Sequence, residues 1–511
     1  MPRAHRLLSP LSLLLVLTAA ALALHTPPAL ASSTQEPIFQ DDTALIQNPA
    51  GTLDTLRSLG VARVRVFVVW NSVAPSPNSS RKPHGFSPSD PNSYPTQNWG
   101  RYDAIVQDAA RRGIAVDLTL TGPAPQWAVG SGGPRGAHQW KPSGSEFRSF
   151  VTAVGRRYPS VHYWAIWNEP NYGPDLAPQE IHRTGVEVAP ALYRNLVDGA
   201  WSGLQASGHG RDTILIGEVA PRGITTGGQP GSFGGMVPLR FVQALYCVDS
   251  SYRQLRGSAA AARGCPTNAA GSRGFRRAHP GLFNATGFAD HPYPQGLAPN
   301  RQTWPNGGQN QYFDLPQVPF LERVLDRMQR TYGSGTRFPI YSTEYGYRTG
   351  EPGQPSYATA SLYLNWAEYI SYRDPRIRSY MQYLLLDPPG GNFPSGLETS
   401  RGRRKATFDA FRMPLYLPST STRKGGTLEV WGDVRPAAFA KLDTGRAQRV
   451  QIEYRRGSRG SFTTGRTVTI TNSRGYFDVR IAFPASGSVR LGWAYPNGAV
   501  IHSRMQTVTV R

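Results

Sequence analysis

The chain has 511 residues, beyond the ~250–300 at which single hydrophobic cores stop growing, so at least two domains are expected. Its hydrophobic fraction of 39% and aromatic fraction of 11%, with 54 Gly and 44 Pro, exclude a disordered chain and indicate an ordered, loop-rich one. A formal charge of +22 invites a polyanionic partner, but apart from Lys82, Lys141, Lys405, Lys424 and Lys441 that charge is arginine dispersed along the chain. Only Arg401, Arg403, Arg404 and Lys405 cluster tightly, as a solvated loop would, so nucleic acid is not the expected partner. An acidic glycan stays open.

Arg3 and Arg6, an apolar stretch over 11–24 and Ala29-Leu30-Ala31 before Ser32 form a secretory signal peptide, 1–31, cleaved near Ala31. The apolar stretch is shorter than the ~20 residues that span a bilayer, and no later segment qualifies, so the mature protein is expected to be secreted, monomeric and free of stable membrane insertion. Cys247 and Cys265 are the only cysteines, and an even count in an exported chain reads as one disulfide. Unpaired thiols or half a metal site are the competing readings, but no His flanks either cysteine at ligand spacing. Neither a metal nor a cofactor is expected.

From about 37 to 417, short runs of Val, Ile, Leu and Tyr alternate with amphipathic helical patterns, the mark of parallel strands joined by helices. Strands are expected near Ala44 and over 62–70, 114–121, 162–167, 213–219, 285–291, 338–343 and 379–386. A barrel and an open sheet both fit this alternation, and eight strands at this length suit a (β/α)₈ barrel of the α/β class over 32–418. Tyr102, Ile105, Val106 and Ala109 mark one helical packing face; Phe147, Phe150, Val151 and Val154 mark another. The runs 227–235 and 296–311 break the alternation and are expected as long loops at the active-site mouth. The polar stretch 419–426 reads as a linker, and beyond it the period changes to strict alternation (Val450, Ile452, Tyr454; Val489, Leu491, Trp493). A small all-β sandwich of immunoglobulin-like size is therefore expected over 427–511, with Trp431 and Trp493 as core residues in preference to sugar platforms. A chain ending near Pro418 is expected to fold alone.

Two strands end in glutamate. Tyr163-Trp164-Ala165-Ile166-Trp167-Asn168-Glu169-Pro170-Asn171 is an apolar strand stopped by proline, which puts Glu169 at the C-terminal tip of the fourth strand. Pro339-Ile340-Tyr341-Ser342-Thr343-Glu344 repeats the design on the seventh, and barrel enzymes carry their catalytic groups at such tips. A glutamate alone is usually a solvated surface group; two on one mouth change the odds. Glu218, Asp290, Asp387, Asp41 and Asp42 are rival carboxylates near other strand ends.

The Trp167–Asn171 motif, in residue type and strand position, resembles the retaining glycosidases of the large barrel clan that includes families 5 and 39, the cellulase-like enzymes. The resemblance covers about 37–417. It implies hydrolysis of β-glycosidic bonds of a poly- or oligosaccharide with retention, Glu169 as acid/base, Asn168 on the sugar 2-hydroxyl and Glu344 as nucleophile. Arg65 on the second strand is similar to the clan arginine that supports the nucleophile, and His291-Pro292-Tyr293 to its His/Tyr pair. Departures are equally plain. Where the clan often places a stacking Trp after strand eight, this chain has Leu384-Leu385-Leu386-Asp387, and no corresponding His stands on strand three. Trp70, Trp127 and Trp304 are the candidates for the missing platform, a core role being the alternative for each. A sugar-binding barrel without activity and a transglycosylase using the same two carboxylates are the rival functions.

Overall fold

A computed structural model describes residues 32–182, 184–224, 230–302 and 311–511. The expected signal peptide and Trp304 lie outside the described residues. Eight parallel strands close into a barrel: β1 (Glu36–Gln40), β2 (Arg63–Val69), β3 (Ala115–Thr121), β4 (Tyr163–Ile166), β5 (Thr213–Val219), β6 (Gly287–Asp290), β7 (Ile340–Ser342) and β8 (Ile377–Tyr383), with β1 hydrogen-bonded to both β2 and β8. The connecting helices are α1 (Pro49–Ser58), α2 (Thr96–Arg111), α3 (Gly144–Arg157), α4 (Ala189–Ala206), α5 (Pro238–Leu245), α6 (Val318–Thr331) and α7 (Tyr357–Tyr372), and α8 (Ala406–Arg412) follows the last strand. Among the described residues no helix is long and apolar enough to cross a membrane.

The first strand is displaced from its expected place. Ala44 belongs to the short helix Asp42–Gln47, N-capped by Asp41, whose carboxylate accepts the Ala44 N–H at 2.9 Å. Pro37-Ile38-Phe39, buried in β1, is too short a run to reveal a period, whereas Ala44-Leu45-Ile46 imitates a strand.

Strand β2, Arg-Val-Arg-Val-Phe-Val-Val, explains how the barrel is lined. Successive side chains point to opposite faces, so Val64, Val66 and Val68 join the apolar layer under the helices while Arg63 and Arg65 point to the barrel axis. Both arginines are almost wholly buried, and each has a partner there: Arg63 lies over the Tyr163 ring and pairs with Glu36, and Arg65 reaches five other strands or strand tips. Strand β5 carries an irregularity between Gly217 and Val219, where Glu218 adopts φ +50°, and the extra residue re-aims the Glu218 carboxylate inward.

Beyond the barrel, β9 (Leu415–Tyr416), β11 (Thr427–Asp433) and β14 (Tyr476–Ala482) form one sheet. The second contains β10 (Ser421–Thr422), β12 (Arg449–Arg456), β13 (Thr463–Thr469), β15 (Gly487–Ala494), β16 (Val500–His502) and β17 (Gln506–Val510). The two sheets pack as a sandwich around Val430, Ile452, Phe477, Leu491 and Trp493. Trp431 faces the other way, onto the barrel's α7, in a layer with Trp366, Tyr369, Tyr372, Tyr416 and Tyr476. The stretch read as a linker contains β10, paired in parallel with β17, and β9 has already joined the sandwich before Pro418. Cys247 and Cys265 form a disulfide in the segment that follows α5.

Candidate active site

Four residues of the Trp167–Asn171 motif have distinct places in the structure. Trp167 is fully buried at φ +69°, an uncommon conformation for a bulky side chain; its N–H donates to Leu120 O at 2.8 Å and its indole N–H to Asp175 O at 3.2 Å. A Cβ on Gly122 would stand 2.6 Å from that ring, so the neighbouring position has to be glycine. Asn168 Oδ1 accepts from Arg65 at 3.2 Å. Glu169 sits at φ +35°, the kind of backbone strain that the surroundings must hold in place. Asn171 provides the hold: its side chain bonds the backbone of Ala220 in both directions and the Met236 carbonyl, clipping the loop after β4 to the loop after β5.

Arg65 organises the opposite half. Fully buried, it donates to Glu344 Oε1 at 2.7 Å, Glu218 Oε2 at 2.7 Å, Gln40 Oε1 at 2.5 Å and Thr119 Oγ1 at 2.9 Å. Tyr293 donates its hydroxyl to the other Glu344 oxygen at 3.0 Å. His291, also fully buried, bridges Glu169 Oε1 at 2.9 Å and Glu218 Oε2 at 2.8 Å. One carboxylate oxygen of Glu169, a ring nitrogen of His291 and one carboxylate oxygen of Glu344 lie within 4.8 Å of one another. The two strand-tip glutamates therefore face each other across one cleft of about 730 Å³, which Tyr172, Tyr293, Tyr383 and Phe393 also line.

Burial alone would discharge His291, but Glu344, Glu169 and Glu218 outweigh it and the imidazole is pushed up to about 10. Burial likewise opposes charge on Glu218, yet Arg65 and His291 hold its carboxyl below the usual range. The Tyr293 hydroxyl is pushed well up by burial and by Glu344, so it remains a donor. Asp175 was not singled out by sequence; its carboxyl is raised well above the usual range by burial, then by Glu169 and Glu344, and it accepts a hydrogen bond from Asn168. Nothing in the loop 170–179 foretells this, because the contact depends on how that loop folds back over Trp167.

The imidazolium gives a pH prediction. Its stabilising contribution is fully present below the ~6.5 of a free histidine and is lost as pH rises through about 10. Denaturant unfolding should show that alkaline decline in the parent chain and a flatter one in His291→Gln. The variant should also be less stable at pH 7, by ~1–3 kcal/mol, because it removes the cation between Glu169 and Glu218 while Arg65 and Thr343 still hold Glu218. An unchanged alkaline slope would show that His291 is neutral.

The rival carboxylates part company. Asp41 caps a helix and accepts the Leu385 and Leu386 N–H groups; Asp42 accepts from Phe67 N; Asp387 pairs with Lys405 at 2.6 Å. Asp290 is wholly buried, and that burial raises its carboxyl well above the usual range against the opposing pull of His291. Only Glu218 joins the constellation. Trp70 is fully buried in the core, which removes it as a platform. Trp127 is half-buried against Trp70 and Phe86 and lines a separate depression of about 750 Å³ with Asn78, Arg135 and His138. Another cavity of about 750 Å³, bordered by Arg337, Asp374 and Arg376, holds neither catalytic candidate.

No protein-family model and no curated protein matches this sequence. Among solved structures, a family 39 glycoside hydrolase from Bacteroides cellulosilyticus is 14% identical, with 90% of this chain and 81% of that one covered at a TM-score of 0.47. A glucosidase from Croceicoccus marinus is 13% identical over 93% and 96% of the two chains, TM-score 0.48. An endo-β-1,4-mannanase from Thermotoga petrophila is 12% identical over 95% and 99%, TM-score 0.38. Likeness this remote assigns no activity, which has to come from the geometry of the site itself.

Proposed function

We propose that this protein is a retaining glycoside hydrolase acting on a β-linked sugar, with Glu344 as nucleophile and Glu169 as general acid and base. The observation that carries the reading is that one carboxylate oxygen of Glu169 and one of Glu344 lie within 4.8 Å of each other across the cleft. Retention places the two groups ~5–5.5 Å apart, whereas inversion needs ~6.5–9.5 Å to admit a water. Their partners support different roles. Arg65 and Tyr293 each donate to one oxygen of Glu344, which fixes its orientation; Glu169 has His291 on one oxygen and the cleft before it.

In the first step a Glu344 oxygen attacks the anomeric carbon, the bond to the leaving oxygen breaks, and that oxygen takes its electron pair and the proton of Glu169. In the second, Glu169 as carboxylate takes a proton from water, the water oxygen bonds the anomeric carbon, and Glu344 departs as carboxylate. Asn168, held by Arg65, supports binding of a sugar hydroxyl next to the reacting carbon. Export is supported by the N-terminal pattern and by the Cys247–Cys265 bridge, which suits an oxidising compartment.

Assaying the purified protein on 4-nitrophenyl β-glycosides of glucose, xylose, mannose, galactose and glucuronic acid tests the reading. At least one should be cleaved, and proton NMR of the first-formed sugar should show the β-anomer. Release of the α-anomer would overturn retention, and failure to cleave any β-glycoside would overturn the activity.

A further inference from the structure

The wall of the cleft beside Glu169 is largely apolar. Tyr172 on the loop after β4, with Pro221, Gly223 and Ile224 on the loop after β5, lines it, and Phe233 adjoins at Gly173. Tyr172 follows Glu169 by three residues, with its backbone N–H on Glu169 O at 2.8 Å. It is 42% exposed, and Ile224 and Phe233 are each 40% exposed. Tyr172 and Ile224, two large side chains left open on adjoining loops of the cleft, form a patch of the kind that marks a binding surface, while the Phe233 ring lies toward Trp140.

The wall is also fixed in shape. Tyr172 and Gly235 pair as an isolated backbone bridge, and the Ile224 N–H donates to Gly235 O at 3.0 Å. A Cβ on Gly223 would lie 2.3 Å from the Met236 carbonyl carbon, and one on Gly173 would lie 2.2 Å from that of Phe233. Among the described residues that line this wall, the side chains able to hydrogen-bond, besides Glu169, are Tyr172 and Arg222. Arg222 sends its guanidinium to Tyr293 O at 3.2 Å and to Asp314 at 3.5 Å, and Gln295 belongs to the loop after β6. Among the described residues, a sugar seated on the Tyr172 wall would find few side-chain partners for its hydroxyls, which is costly, whereas an aryl or alkyl group has no such need.

We propose that the leaving group is an apolar aglycone, aryl or medium-chain alkyl, held on Tyr172 and Ile224, so that the substrates are aryl and alkyl β-glycosides and not polysaccharides. The inference rests on the glycosidase reading above, because the acid that protonates the leaving oxygen has to face the leaving group.

The test uses whichever sugar is cleaved fastest in the aryl glycoside assay, presented as methyl, butyl and octyl β-glycosides and as the disaccharide. Burying a methylene against half of an apolar wall is worth about twofold, so kcat/KM should rise about 100-fold from methyl to octyl, and the octyl glycoside should exceed the disaccharide. In the Tyr172→Ser/Ile224→Ser double variant, checked for folding by its thermal melt, the dependence on chain length should fall to less than about 10-fold. Efficient aryl cleavage with no chain-length dependence, or with the disaccharide preferred, overturns the aglycone assignment and leaves the glycosidase standing. An equally steep dependence in the double variant places the apolar contact elsewhere and also overturns it. If no glycoside is cleaved at all, both readings fall together.

Discussion

Glu344→Gln is expected to lose at least ~10⁴-fold in kcat/KM on every glycoside the parent cleaves, including those with activated leaving groups. The amide is nearly the shape of the carboxylate but has no anion with which to attack, and Arg65 and Tyr293 would still hold it in place. Glu169→Ala should fail differently. Its loss removes protonation of the leaving oxygen, worth ~10²–10⁴-fold, but a dinitrophenolate leaves without help, so glycosylation of Glu344 should survive on that substrate. Hydrolysis of the intermediate then stalls for want of a base, and the glycosyl-enzyme should accumulate to a mass-shifted species. Added azide needs no deprotonation and should restore turnover, giving a β-glycosyl azide. If Glu344→Gln cleaves dinitrophenyl glycosides normally, or Glu169→Ala keeps full activity on unactivated ones, the two roles are wrong.

A chain ending at Pro418 is expected to aggregate, contrary to what the polar stretch 419–426 suggests by itself. Helix α7 is shared by both halves: Leu362, Trp366, Tyr369 and Tyr372 pack against Tyr416, Trp431 and Tyr476 of the sandwich. Glu368, 1% exposed in the same helix, accepts from Arg435 at 2.7 Å and from the Tyr476 hydroxyl at 2.8 Å. Truncation would open that aromatic layer to water and strip the buried carboxylate of both partners. Breaking a buried pair costs ~3–5 kcal/mol, a large part of the ~5–15 kcal/mol by which domains are usually stable. Arg435→Ala in the full chain isolates the electrostatic part and should lower stability by ~3–5 kcal/mol in denaturant unfolding, with the halves still unfolding in one transition. A soluble, cooperatively folded 32–418 fragment would show that the interface is dispensable.

The candidate site residues were legible in the sequence wherever the signal is local. Alternating arginine and valine along β2 announces one face toward the barrel axis and one toward the helices, and proline after Glu169 announces a strand tip. Those patterns depend on the period of a single strand and on one ring's missing N–H, so they hold before anything packs. Which groups meet across the barrel is another matter. Glu218 enters the site because an irregularity in β5 turns it inward, and Asp175 because its loop folds back over Trp167; neither event has a local period. Trp70 and Trp127 follow similar strand ends and cannot be told apart until α3 covers the first, through Phe147 and Phe150. The polar run 419–426 reads as a linker because composition reports only solvent preference, while the β10–β17 pairing and the Arg435–Glu368 contact join residues more than 60 positions apart. Sequence alone thus determined the alternation along the regular strands and the stop at Pro170, since steric and hydrogen-bonding limits act within a few residues. Barrel closure and domain docking decided which of those side chains became neighbours, because their energy resides in contacts that exist only once the whole chain has folded.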